Sequence, residues 1–162
     1  MRPTDADDMK YLYAAWRLGS PVLQAIKTEN TPEAFTEAFG EHIALRFQRA
    51  YTLIATPPGK DTMPVGVVFG IVPFYQKQVM WLGDFIWFPW ASPRNKLETT
   101  VHFLNQMRKQ YTIIGFCEPE AINFFEHICR YGVLRRAGTV FDFFEEGPRG
   151  IFQTRKPHIV GK

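Results

Sequence analysis

The chain has 162 residues, enough for one ordinary domain with a substantial core. Hydrophobic residues make up 46% of it, and no stretch approaches the roughly 18 unbroken apolar residues of a membrane span. A net charge of +3 is too mild to argue for nucleic acid as a partner, and two cysteines, Cys117 and Cys129, are too few for a disulfide framework.

A reducing compartment, the cytoplasm, is therefore the expected location, with the two thiols buried on a strand and a helix. The start, MRPTDADDMK, is charged from its second residue, which argues against a signal peptide. Basic residues gather late, from Arg130, Arg135 and Arg136 to Arg149, Arg155, Lys156 and Lys162, and read as solvated surface. Fifteen phenylalanines make the chain rich in aromatics, and where these reach the surface they point to a protein partner.

In chain order, Thr4-Asp5-Ala6-Asp7 has the form of a capping box with Asp in place of Glu. Met9, Leu12, Tyr13 and Trp16 follow at helical spacing, and Gly19 stops that helix. So little precedes it that a first strand can be no more than a stub. Thr31-Pro32-Glu33 starts a second helix, with a hydroxyl at the N-cap and proline in the first turn; Phe35, Ala38 and Phe39 make its apolar face. Gly40 is placed to break it ahead of 41–49.

From Tyr51 the period changes. Strands are expected over 51–56, 65–72 and 79–88, joined by short turns as an antiparallel meander. Residues 95–110 form a helix with Leu97, Val101, Leu104 and Met107 on one face. The crossover makes the next strand, 111–117, parallel to the one before the helix. A further helix over 119–131 carries Ala121, Phe124, Phe125, Ile128 and Cys129 as its apolar stripe. Strands 139–145 and 151–156 close the chain as a hairpin. No repeat, low-complexity run or linker interrupts this, so a single domain over 1–162 is expected.

This order of elements resembles the GNAT superfamily of acyl-CoA-dependent N-acetyltransferases along almost the whole chain. The run from Arg2 to Asp8 is similar to the start of that family's first helix, Phe88-Pro89 to the end of its central strand, and Arg94 to the head of its pyrophosphate loop. Residues 121–133 resemble its last helix and the glycine after it. Within the superfamily the likeness is greatest to degenerate bacteriophage members, including the small internal virion protein of short-tailed phages. These share a glycine-free loop, a helix of the type Ile122-Asn123-Phe124-Phe125 and a final hairpin ending on a basic residue. The resemblance implies an α/β (α+β) fold: a mixed, mostly antiparallel central sheet flanked by helices, its first strand reduced.

It also implies acetyl-CoA as the donor and an amine as the acceptor. In the family, backbone N–H groups of a glycine-containing loop hold the CoA pyrophosphate, the glycines allowing close approach. The matching positions here are Arg94, Asn95, Lys96, Leu97, Glu98 and Thr99. Arg94 and Lys96 supply positive charge, Leu97 and Thr99 stand where glycines would, and Glu98 adds a negative charge. Pro89 has no N–H, so Phe88 or Trp90 would polarise the thioester carbonyl. Trp87 and Trp90 line an acyl channel or are simply core. Phe125 replaces the tyrosine that reprotonates the thiolate, a role left to Tyr131, Cys129 or water. Asp84, which shares a strand face with Ile86 and Phe88, and Glu118, where the family commonly has Asn, are the candidate general bases.

The four histidines, His42, His102, His127 and His158, are scattered, and no metal site is expected. Two readings stay open. One is an acetyltransferase with a variant loop. The other is a GNAT fold kept as an inactive interaction or virion component, with a protein partner or its own copies.

Overall fold

The computed structural model describes residues 1–41, 49–54, 63–73, 77–117, 119–141 and 148–154, with backbone alone at Asp84, Phe116, 137–141 and 148–154. Among the described residues there are seven strands, β1 (Arg2–Pro3), β2 (Arg49–Ile54), β3 (Pro64–Ile71), β4 (Val79–Trp87), β5 (Thr112–Cys117), β6 (Leu134–Phe141) and β7 (Pro148–Thr154), and four helices. The helices are α1 (Met9–Arg17), α2 (Pro32–Phe39), α3 (Pro93–Met107) and α4 (Ile122–Cys129). The architecture is the mixed α/β one expected, with a mostly antiparallel sheet, a two-residue first strand and flanking helices. The chain divides into two compact units, Met1–Ile71 with Gly83–Thr99, and Val72–Leu82 with Thr100–Lys162. Strand β4 and helix α3 each contribute residues to both.

In the first unit the strand order is β1-β2-β3-β4. β1 runs antiparallel to β2 through Arg2↔Thr52, and β2 antiparallel to β3 from Arg49↔Gly70 to Leu53↔Gly66, with an irregularity before Ile54↔Pro64. The core lies where α1 and α2 cover this sheet: Leu12, Ala15, Phe35 and Phe39 meet Val67, Phe69, Ile86 and Phe88. Phe35 is its hub, with ring centroids 5.2 Å from Trp16 and 5.8 Å from Phe39.

The helix ends follow their sequence signals. The N-cap is Asp5, one residue later than the capping box read from Thr4: its carboxylate accepts from Asp7 N–H, and Asp8 reaches back to the Asp5 N–H at 3.0 Å. A short 3-10 turn, Ala6–Asp8, then leads into α1. Helix α1 ends in a Schellman motif. Gly19, at φ 85°, donates to Trp16 C=O and Ser20 to Ala15 C=O, both at 3.0 Å, which satisfies two of the last orphan carbonyls. For α2, Thr31 Oγ1 accepts from Ala34 N–H at 3.2 Å with Pro32 in the first turn, as expected. Gly40 does not break the backbone there, since its φ and ψ are helical.

In the second unit the order is β4-β5-β7-β6. β5 is parallel to β4 from Val79↔Thr112 to Leu82↔Gly115, as the crossover required. The closing pair forms as an antiparallel hairpin, but β6 begins at Leu134, earlier than expected, and β7 inserts between β6 and β5. Helix α4 packs on β6, and its first turn, Pro119–Ala121, is a 3-10 turn. Of the expected stripe on α4 only Ile128 is fully buried; Phe124, Phe125 and Cys129 are half-buried. The buried face of α3 is also offset from the expected one. Thr100, Phe103, Leu104 and Met107 are buried, while Leu97 and Val101 are half-exposed.

No helix among the described residues is long and apolar enough to cross a membrane.

Candidate functional site

The end of β4 is where the site is built. Phe88, Pro89, Trp90 and Ala91 form a turn closed by Ala91 N–H donating to Phe88 C=O at 2.9 Å, with proline at the second position, where its fixed φ is favoured. Phe88 N–H donates to Val65 C=O at 3.0 Å, which extends the β3–β4 pairing by one residue. The expectation that Phe88 N–H is free to polarise a carbonyl is thereby corrected: edge pairing with β3 takes the donor. Trp90 is anchored by Nε1 to Pro64 C=O at 2.8 Å, and its ring lies 4.9 Å from that of Phe88 on the edge of the core. Trp90 is half-buried and packs against the core, and with Phe88 N–H bonded to Val65 its backbone N–H is the donor left to the scheme read from the sequence.

Residues 94–99 are helical, forming the first two turns of α3 rather than a loop. The helix starts cleanly because Ser92 caps it, its Oγ accepting from Asn95 N–H at 3.1 Å and its C=O from Lys96 N–H at 3.0 Å. Pro93 in the first turn needs no N–H partner. Arg94 is 82% exposed and pairs with Glu98, Nε to Oε1 at 2.7 Å, an i,i+4 ion pair on the helix surface that raises the pKa of its guanidinium. Thr99 is buried, and its hydroxyl bonds back to Asn95 C=O at 2.6 Å. These residues do not make a glycine-lined backbone cradle. What they can offer a phosphate is the positive end of α3, the Ser92 hydroxyl hydrogen and the Arg94 N–H, since the Asn95 and Lys96 N–H groups are bonded to Ser92.

A cavity of about 350 Å³ opens beside the end of β4. Its walls are the turn 18–22 after α1, the β4 residues Phe85, Trp87, Phe88 and Pro89, and Lys96 of α3. The Schellman turn shapes one side, since Gly19 in the left-handed region swings the chain toward β4. Ser20, 3% exposed, ties the two sides together with Oγ donating to Trp87 C=O at 3.4 Å. Phe85 and Trp87, two residues apart and so on one face of the strand, stack at 5.4 Å with 19° between their planes. Nothing in the spacing of residues 18–22 marks them as functional; only the fold brings them to β4.

Asp84 lies within β4, and its side chain is outside the described residues, as are Glu118, His42 and His158. Phe125 sits on α4 with its ring edge-on to Phe124 at 5.4 Å. Tyr131, in the turn after α4, is exposed and its ring stands 5.8 Å from that of His127. Among the described residues no three His, Cys, Asp or Glu side chains come together as a metal site would require.

A second cluster, which no sequence motif marks, surrounds Asp8. Asp8 is buried, its side chain 1% exposed, and receives both guanidinium nitrogens of Arg2 at 2.8 Å, the Asp5 N–H at 3.0 Å and the Thr52 hydroxyl at 2.7 Å. Burial pushes the Asp8 carboxyl up, but the bonds from Arg2, Asp5 and Thr52 outweigh it and hold the pKa below the usual carboxylate value. This cluster fastens the short β1 to β2 and the head of α1.

No protein-family model matches the sequence, and no curated protein matches it either. Solved structures do match. A chimeric spermidine N-acetyltransferase from Vibrio cholerae superposes with a TM-score of 0.65 at 13% identity, covering 94% of this chain and 91% of that one. A GNAT-family acetyltransferase from Bacillus cereus gives 0.59 at 14% identity, covering 96% of each. A probable GNAT-family acetyltransferase from Chromobacterium violaceum gives 0.61 at 15%, covering 93% and 84%. At such identities the likeness shows the fold, and the fold is that of GNAT acetyltransferases.

Proposed function

We propose that this chain is a GNAT-fold N-acetyltransferase with a degenerate pyrophosphate site, which transfers an acetyl group from acetyl-CoA to an amine. The observation that carries this reading is the cavity of about 350 Å³ at the end of β4, in the size range of small-molecule sites. By the family resemblance, that strand end is where donor and acceptor meet. The neighbouring head of α3 is where the pyrophosphate would lie, held by the Arg94 N–H, the Ser92 hydroxyl and the positive end of the helix instead of a glycine cradle. Asp84 and Glu118 are the proposed bases for the acceptor amine. The N–H of Trp90 is the proposed donor to the thioester carbonyl, because Phe88 N–H is already bonded to Val65.

The test is isothermal titration of the folded protein with acetyl-CoA, beside a Ser92→Asp variant. Aspartate is as good an N-cap as serine, so α3 keeps its start, while a carboxylate at its head repels a pyrophosphate. Saturable heat that disappears in the variant supports the reading, and acetyl transfer to an amine panel should then be lost in Asp84→Asn or Glu118→Gln. No heat from the wild-type protein at high concentration overturns it.

A second reading is favoured by two specific features: the Phe88 N–H is taken up in the sheet, and Phe125 carries no hydroxyl where the family has a proton donor. On that reading the chain is a GNAT fold retained for interaction, in a phage virion or otherwise, and the absence of acetyl-CoA binding is its signature.

A further inference from the structure

Along most of the described lining of the cavity beside β4, the backbone has no N–H left for a ligand. Those of Leu18, Gly19, Ser20 and Phe88 are each bonded within the fold at 3.0 Å, and Pro21 and Pro89 have none. Apart from Ser20 and Lys96, the described side chains of the lining are apolar, with Phe85 and Trp87 on one strand face and Leu18 and Val22 exposed at the edge. Lys96 carries donors only, so Ser20 is the described side chain there that can accept a hydrogen bond. It is 3% exposed, and its hydroxyl hydrogen goes to Trp87 C=O at 3.4 Å, which leaves the oxygen lone pairs without a donor among the described residues. Its position is fixed. The Ser20 C=O accepts from Gln24 N–H at 3.1 Å, and Gln24 Nε2 reaches back to Trp16 C=O at 2.7 Å. Trp16 Nε1 in turn donates to Ile26 C=O at 3.1 Å, so the turn that carries Ser20 is tied to α1.

We infer that this cavity seats an amine carried on an apolar body, the chemistry of an arylalkylamine, with Ser20 Oγ accepting from the amine N–H. This rests on the proposed transferase reading and names the substrate class of its acceptor, together with the residue that binds the amine. The donor has to come from the ligand, because the buried polar atom that the wall presents is an acceptor and the backbone around it is already bonded. The body of the ligand packs against the apolar lining, where each buried carbon is removed from water and ring contact adds to simple burial. The tied turn holds Ser20 in place before the ligand arrives, so little ordering opposes the bond.

Direct binding tests this without acetyl-CoA. Phenethylamine, phenethyl methyl ether (the same ring and chain without an N–H) and ethylamine (the amine without the ring) are titrated by calorimetry into the wild-type protein and into Ser20→Ala. In the wild type, phenethylamine is expected to bind at least about tenfold more tightly than ethylamine. Ser20→Ala, judged folded by its melting curve, should weaken phenethylamine about tenfold and leave the ether within about twofold. A merely structural role for Ser20 would weaken both aromatic ligands alike. Should Ser20→Ala not fold, the wild-type order decides the substrate class. Ethylamine binding as tightly as phenethylamine, equal loss of amine and ether in Ser20→Ala, or no heat from any of the three would each overturn the inference. The two readings fail separately. Acetyl-CoA binding without phenethylamine binding leaves the transferase and removes this acceptor class; the reverse removes the transferase and leaves a binding site for apolar amines.

Discussion

The backbone N–H of Phe88 donates to the carbonyl of Val65 at 3.0 Å, so β4 remains hydrogen-bonded to β3 one residue past its last strand position. The next residue, Pro89, has no N–H at all. Two successive backbone positions at the strand end therefore have no N–H to offer a ligand.

Restoring a donor should be felt. Pro89 is exposed and lines the cavity, and only its turn geometry constrains it. Pro89→Ala is expected to raise kcat for acetyl transfer about tenfold, with KM for acetyl-CoA unchanged, because a donor to the developing oxyanion acts in the transition state. Steady-state kinetics check it, and an unchanged kcat would place the carbonyl elsewhere.

The Arg94–Glu98 pair bears on whether Arg94 holds a phosphate. Its guanidinium is 82% exposed and held by Glu98 along the helix surface. Arg94→Ala should leave acetyl-CoA affinity within about twofold and the melting temperature nearly unchanged, because an exposed ion pair is screened by solvent. Loss of binding in this variant would show that the guanidinium leaves Glu98 for the ligand.

The Arg2–Asp8–Thr52 cluster should control acid stability. Asp8 has its pKa depressed in the folded state, so its contribution is present above the ordinary carboxylate pKa and is lost as pH falls through the lower folded value. Urea melts of wild-type protein should therefore weaken from about pH 4 downward. Asp8→Asn should be less stable at neutral pH by about 2–3 kcal/mol and show a flatter acid limb. Identical limbs for the two proteins would remove Asp8 from the account.

Two glycines should respond oppositely to alanine. At Gly66 an added Cβ would lie 2.6 Å from Ile86 C=O and 3.0 Å from the Trp87 ring, so the strands must separate; Gly66→Ala is expected to cost about 2–3 kcal/mol. At Gly40 the backbone is helical and an added Cβ meets nothing within 4 Å, so Gly40→Ala should stabilise by about 0.5–1 kcal/mol. Thermal melts of both variants settle the sign.

Much of the architecture was legible because it is written in local terms. Thr31-Pro32 starts a helix by offering a hydroxyl to an orphan N–H; Gly19 ends one by entering a backbone region closed to other residues; β4, α3 and β5 follow from a change of period and a crossover of fixed hand. Errors of one position, as at Asp5 and on the buried face of α3, arise because neighbouring registers are locally similar and packing chooses between them.

What the sequence by itself determined, then, is the order and kind of elements, and with them the GNAT-like fold. Tertiary structure alone decided that β7 inserts between β5 and β6, that Asp8 meets Thr52 from 44 residues away, and that the turn after α1 faces Phe85 and Trp87 across a cavity. It also decided that Phe88 N–H belongs to Val65. The reason is physical: helix caps and strand periods are set within a few residues, whereas a donor's partner and a cavity's walls are set by groups that become neighbours only when the sheet has closed on its helices.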